Sequence, residues 1–183
     1  IVAAGITYGR TPHTTSDLGA IGGLFIGMVL AERFPVPVEG VDAGGVTLGF
    51  VFAVAATVLF GWQAGVIVAA GGPTVTHLIG HRPLLRVAYN GSMFALSALA
   101  GGLAIEHIHE TSVGALILRV ALCAFLYNWV VNLLLISAVL AASSGKPFFK
   151  LIWDNARQTT APFALMSSAA LMLVVLWERS PWL

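Results

Sequence analysis

The chain has 183 residues, 58% of them hydrophobic and only 9% charged, with a net charge of +1. An ordinary soluble domain carries about 25% charged residues, so the charged side chains here are too few to cover a solvated face, and a soluble enzyme, a nucleic-acid binder or a disulfide scaffold fits poorly. The mean hydropathy of +0.91 points to an integral membrane protein. Apolar runs such as Leu24-Phe25-Ile26 and Leu133-Leu134-Leu135-Ile136 are continuous on both faces. Strands of a membrane barrel would alternate polar with apolar instead, so the expected class is all-α.

Six apolar segments follow in chain order. The first runs from about Leu18 to Ala31, after the N-cap candidates Thr14-Thr15-Ser16-Asp17, and is closed by Glu32-Arg33-Phe34-Pro35-Val36-Pro37. The second covers about Val46 to Phe60 and the third about Ala64 to Ile79, with Gly61-Trp62-Gln63 between them as a tight interfacial turn. A rival parse makes Val46 to Ala70 one helix and leaves Gly71 onward as a re-entrant piece. The fourth is Val87 to Ile105 and the fifth Val113 to about Ala142. The sixth starts at the Thr160-Ala161-Pro162 cap and ends near Trp177. A span takes about 20 residues, with a range of about 17–25; segments four and five qualify outright, and the others need flanking residues. Between segments five and six, Ser143 to Gln158 mixes Lys146, Lys150, Asp154 and Arg157 with Phe148, Phe149 and Trp153. That mixture suits a short amphipathic helix on the membrane surface. The expected fold is therefore a polytopic transmembrane helical bundle, about six segments plus one interfacial helix.

Basic residues set the orientation. With six crossings, Arg33, Arg82, Arg86, Lys146, Lys150 and Arg157 fall on one side, expected to be cytoplasmic, and Arg10 and Arg179 on the other. Both ends of the chain then face outward. Ile1 to Thr7 reads like the end of an apolar segment without a basic n-region, so it is no signal peptide. The expectation is one membrane domain over 1–183, a fragment with its start upstream and something further beyond Leu183.

Several stretches carry a likeness together: Glu32-Arg33-Phe34-Pro35-Val36, Val46-Thr47-Leu48-Gly49-Phe50-Val51-Phe52, His81-Arg82-Pro83-Leu84 before Tyr89-Asn90, Leu96-Ser97-Ala98-Leu99-Ala100-Gly101-Gly102-Leu103, and Leu176-Trp177-Glu178-Arg179-Ser180-Pro181. From Leu18 to Pro181 the chain resembles the multi-helix membrane-associated sensor region (MASE type) that precedes HD-GYP or GGDEF domains in bacterial cyclic-di-GMP signalling proteins. The resemblance implies a sensory input module in the bacterial cytoplasmic membrane, without its enzyme, followed by a further helix leading to a cytoplasmic output domain. Gly71-Gly72-Pro73 departs from the uninterrupted small-residue helix expected at that point.

Arg119 is the only basic residue well inside an expected span. A charge there costs about 2.5–3.5 kcal/mol on insertion scales and by default marks function. Asn128 and Asn132 lie one turn apart on the same segment, and the Gly71-Gly72-Pro73 break can free backbone groups. Arg119, Asn128, Asn132, Gly72 and Pro73 are thus the candidate ligand-binding set, between segments three, four and five. The plainer alternative has the asparagines bonding between helices, Arg119 snorkelling outward and Pro73 merely kinking its helix. A buried guanidinium needs an acceptor, and Glu106 and Glu110 are the expected protein partners. Glu106, His107, His109 and Glu110 also form a candidate metal set if their loop bends; otherwise they are a polar external loop.

His77 and His81, with Arg82 and Arg86, read as a basic patch touching lipid headgroups. Gly19, Gly23 and Gly27, and the pairs Ser97–Gly101 and Ala98–Gly102, are small-residue seams for close helix packing, within the chain or across a homodimer or larger membrane complex. No paired nucleophile and base and no facing aspartates lie within the spans, so no enzyme activity is expected. No cofactor is indicated, and the partner is the lipid bilayer rather than nucleic acid. Against the sensor stand two other readings: a small-molecule carrier or substrate-binding membrane subunit, and an accessory subunit of a larger membrane complex.

Overall fold

The computed structural model describes residues 15–35, 47–109 and 112–179, and among these there is no strand. Five helices follow in order: α1 (Thr15–Arg33), α2 (Gly49–Ile79), α3 (Leu84–Ile105), α4 (Val113–Ser144) and α5 (Phe148–Arg179). Four of them, α2 to α5, are long and apolar enough to cross a membrane, where six spans were expected.

The difference in count lies in α1 and α2. α1 has 19 residues and carries Asp17 in its first turn and Arg33 in its last. α2 is nominally one helix of 31 residues, but Gly61 within it has φ 84° and ψ 173°. Only glycine takes such a conformation without strain. The chain reverses there. In a straight helix Thr57 and Gly65 would stand about 12 Å apart, yet a Cβ on Gly65 would lie 3.0 Å from the Thr57 Cα. Likewise Met28 of α1 packs against both Gly49 and Gly72, which a straight helix would hold about 35 Å apart. α2 is thus a helical hairpin of arms 49–60 and 62–79. The first arm is about 18 Å long, too short to span the hydrocarbon core on its own. Of the two parses of this region, the hairpin at Gly61-Trp62-Gln63 is the one seen, and Gly71 onward is no separate re-entrant piece.

Small residues explain why this hairpin can sit at the centre of the bundle. Gly27 abuts the Phe52 ring, Gly71 meets Phe25, Gly101 meets Cys123 and Gly102 meets Trp62. Without side chains at these points the helix backbones approach closely, which in a membrane substitutes for the missing hydrophobic drive. The seams at Gly101 and Gly102 are thereby used within the chain. Gly19 and Gly23, by contrast, have open space beside them. The most apolar window of α2 is 61% buried, against 17% for α5, so the hairpin is the core and α5 its outer wall. Tyr127 fills the middle, fully buried, with Phe50 edge-on at 5.4 Å and Phe94 tilted at 6.3 Å.

The expected surface helix over Ser143 to Gln158 is not a separate element. α4 ends at Gly145, a left-handed cap, and α5 then runs unbroken from Phe148 through Pro162. Proline removes one backbone hydrogen bond, while Thr159 and Thr160 each donate to the carbonyl four residues back. Asn155 Nδ2 donates to Ser137 Oγ at 3.3 Å, fastening the amphipathic part of α5 along α4. A helix of 32 residues is about 48 Å long, well beyond a hydrocarbon core of about 30 Å. Phe148, Phe149 and Trp153 accordingly belong to the first two turns of this long helix, with Phe149 and Trp153 exposed.

The start of α1 and the end of α5 line one groove, through Gly19, Gly23, Leu173 and Trp177. Trp177 also meets Phe60 beside the hairpin turn, at 5.8 Å. This is the tip end of the bundle. Arg33, Arg82 and Arg86 line a common cavity at the opposite, basic end.

Candidate functional site

The hairpin creates a chemical problem that a distant residue solves. An ordinary helix end leaves its last carbonyls without backbone partners, and the first arm of α2 ends at the half-buried Gly61, one turn past the buried Val58. α4 starts at Ser112, whose Oγ accepts from the Ala115 N–H at 3.3 Å. Two turns further on, α4 presents Arg119, and Nη2 of its guanidinium donates to the Val58 carbonyl. A cation at the C-terminal end of a helix is also favoured by the helix dipole. Arg119 is half-buried, and its Nε has no partner among the described residues.

Beside this contact lies a cavity of about 270 Å³. Thr57, Gly61, Trp62 and Gln63 contribute from the hairpin, Gly102 and Ile105 from α3, Glu106, Ile108 and His109 from the segment after it, and Arg119 from α4. The Thr57 hydroxyl is turned back onto the Ala53 carbonyl at 2.8 Å. That leaves a guanidinium, a carboxylate, an imidazole and a primary amide around one small space. Pockets for drug-sized ligands run from about 300 to 1,000 Å³, so this one suits a small polar molecule. Donors sit opposite a single acid, an arrangement that orients a molecule bearing a carboxylate or carbonyl.

Of the residues singled out in the sequence, Arg119, Glu106 and His109 meet here. The guanidinium bonds to a backbone carbonyl near the end of the first arm rather than to Glu106; Glu110 lies outside the described residues. Asn128 and Asn132 are elsewhere. They lie in a π-helical stretch of α4, Phe125–Asn132, where the Leu133 N–H reaches the Asn128 carbonyl five residues back. Asn132 Nδ2 donates to Asn128 Oδ1 at 3.2 Å, and both residues are buried. Asn128 faces a separate, largely apolar cavity of about 250 Å³ between α4 and α5, with Thr160 and Ser167 on its far wall.

Gly72 and Pro73 are buried too, but against Met28 of α1 and well away from Arg119. The second arm continues through them. Thr74 and Thr76 donate to the Ala70 and Gly72 carbonyls, and the proline takes a donor only from the Ala69 carbonyl. The five residues expected to form one ligand pocket are thus divided among three places. Nor do the metal candidates converge: among the described residues no three His, Cys, Asp or Glu side chains come together. His107 lies in a neighbouring depression with His109 and Ser112, not in the cavity at Arg119.

Thr57, Trp62 and Gln63 were missed as lining residues. Their signal was legible as a polar turn between two apolar segments, though nothing local says what that turn faces. No protein-family model matches the chain, and comparison with characterised proteins finds no match.

Proposed function

We propose that this chain is a membrane-embedded sensory input module, of the kind its sequence resembles, and that the cavity at the hairpin tip is its responsive element. In this reading it regulates a cyclic-di-GMP enzyme domain outside this sequence, in the bacterial cytoplasmic membrane. The observation that carries the reading is the single contact between Arg119 and the Val58 carbonyl. It ties α4 to the end of the first arm while facing a polar cavity. A small molecule with a carboxylate or carbonyl competes for the same guanidinium. Its binding changes how the hairpin end is capped, and α4 is the element through which that change leaves the site. A ligand shifts such an equilibrium only by its differential affinity for the two states, and a cap that one state keeps and the other surrenders supplies that difference.

The test uses the full-length gene product in nanodiscs. Cyclic-di-GMP turnover is measured for the wild type, Glu106→Gln and Trp62→Phe, while Trp fluorescence is followed during titration with small carboxylates and amides. The expected result is a ligand-dependent change of turnover in the wild type that both variants weaken. Absence of a cyclic-di-GMP enzyme domain from the gene product would overturn the reading, as would turnover indifferent to both substitutions.

A carrier or substrate-binding membrane subunit is the second reading. It is favoured by the helix break at Gly61, which lines the tip cavity, since broken helices that line a cavity are where carriers hold substrates. Uptake of a labelled solute by proteoliposomes of this chain alone, abolished by Glu106→Gln, would select it.

A further inference from the structure

The basic end of the bundle holds a second polar cavity, of about 360 Å³, enclosed by the last turn of α1, the last turn of the second hairpin arm and the start of α3. Its charged and polar lining is Glu32, Arg33, Thr76, His77, Arg82 and Arg86. Arg33 is separated from the other two arginines by half a hundred residues of chain, so the sequence alone does not bring the three together. Glu32 is the one acid in this lining, and its Oε1 already accepts from the Thr47 hydroxyl at 2.6 Å. Among the described residues neither Arg82 nor Arg86 has an ion-pair partner, and Arg33 lies over the Phe34 ring, 5.8 Å from its centroid.

The cationic groups are also placed at a cost. Arg86 occupies the first turn of α3, where the helix dipole disfavours a positive charge. Arg82 lies just before α3 and lines the same cavity as Arg86, so like charges face one space. His77 is oriented by Asn90: the Asn90 amide nitrogen is a donor, 3.4 Å from His77 Nδ1. Nδ1 therefore accepts, and the proton is on Nε2. Among the described residues, three guanidiniums and an imidazole N–H surround one space with a single preoccupied carboxyl, an incomplete charge arrangement. An anion completes it.

We propose that this cavity binds a phosphate group, esterified or free, clamped by Arg33, Arg82 and Arg86 with His77 as a further donor. Arginine matches phosphate because its planar fork gives two parallel hydrogen bonds to adjacent oxygens. The site lies where helix ends meet the membrane surface, and basic pockets between membrane helices hold phospholipid headgroups by the same chemistry. The cavity is larger than a phosphate ion, leaving room for the group that the phosphate esterifies. This proposal is independent of the reading at the tip end and survives its failure.

The experiment takes the purified, delipidated chain in dodecyl maltoside micelles, which carry no phosphate. Thermal unfolding is followed while inorganic phosphate or pyrophosphate is added, and in parallel micelles that contain phosphatidylglycerol. A rise in Tm with the soluble anions identifies a soluble phosphate compound as the ligand class. A rise only with phosphatidylglycerol identifies a lipid headgroup. Arg82→Gln/Arg86→Gln is expected to weaken the apparent affinity for the effective probe about 10-fold or more per guanidinium removed, with a Tm at or above that of the wild type in phosphate-free micelles, since unfavourably placed cations are removed. Lys146→Gln/Lys150→Gln removes basic charge beyond the cavity and is expected to keep the response. The proposal fails if neither probe shifts the wild type, or if the lysine variant loses the response as fully as the arginine variant.

Discussion

Replacing Gly65 with alanine separates the hairpin from a straight helix by the sign of its effect. In a straight helix, Gly65→Ala would add a methyl group to a glycine position and stabilise the helix by about 1 kcal/mol. In the hairpin the new Cβ meets the opposite arm, 2.8 Å from the Thr57 Cβ and 3.0 Å from its Cα. These atoms cannot rotate aside, so one arm must move. Overpacking of this kind costs about 1–3 kcal/mol. Taking the upper part of that range for a backbone clash and subtracting the helix gain leaves a net loss of about 2 kcal/mol. Gly114→Ala is the internal standard, since its added Cβ has nothing within 4 Å. Equilibrium unfolding in detergent, followed by circular dichroism, should therefore place Gly65→Ala below the wild type and Gly114→Ala at or slightly above it. A Gly65→Ala protein as stable as Gly114→Ala would refute the reversal at Gly61, and with it the tip cavity.

Arg119→Ala removes the donor to a buried carbonyl and should cost about 1–3 kcal/mol in the same assay, whereas Arg119→Lys should recover part of that loss; equal stability of the two variants would count against the cap. Asn155→Ala deletes the bond to Ser137, and interhelical hydrogen bonds in membranes average about 0.6 kcal/mol, so a loss near that value is expected and a loss several times larger would mean that Asn155 does more than hold α5 to α4. Cys123 is fully buried, so it should react with a membrane-impermeant maleimide only after denaturation; rapid labelling of the native protein would contradict its position. Cysteines introduced at Lys150 and His107 in a Cys123→Ala background should label from opposite faces of the membrane, and labelling of both from one face would overturn the placement of the two ends.

The helical class was legible because composition decides it: too few charges for a solvated surface, and no alternation for a barrel. The hairpin turn was legible for a local reason as well, since Gly61-Trp62-Gln63 interrupts two apolar runs and glycine allows the required backbone. The number of spans was not, because the reversal uses a single residue and leaves a first arm of less than spanning length. The surface helix was misread for a related reason. Charges among Phe148, Phe149 and Trp153 describe an environment, the interface, but not whether the helix continues beyond it. Thr159, Thr160 and the tie from Asn155 to Ser137 carry α5 across the boundary, and the last of these is a long-range contact that periodicity does not contain.

The same distinction explains the fate of Arg119. Sequence and membrane energetics together required an acceptor for its guanidinium, and that requirement was met. They favoured a carboxylate because acids are the acceptors visible in a list of residues. Backbone carbonyls are not visible there until a helix is known to end, and the end at Gly61 places one within reach of α4. Glu106, not paired with Arg119, is then left with His109 to line the cavity. Some polar groups of this protein are consumed by nearby partners, Asn132 Nδ2 by Asn128 and the Thr57 hydroxyl by the Ala53 carbonyl, while the buried Ser97 Oγ, Tyr127 hydroxyl and Asn132 Oδ1 have no partner among the described residues. The charged and polar groups at the two ends of the second hairpin arm converge on cavities. In a bundle whose core is built largely from alanine and valine, the charged side chains that recognition of a polar molecule draws on are gathered around space at the two ends.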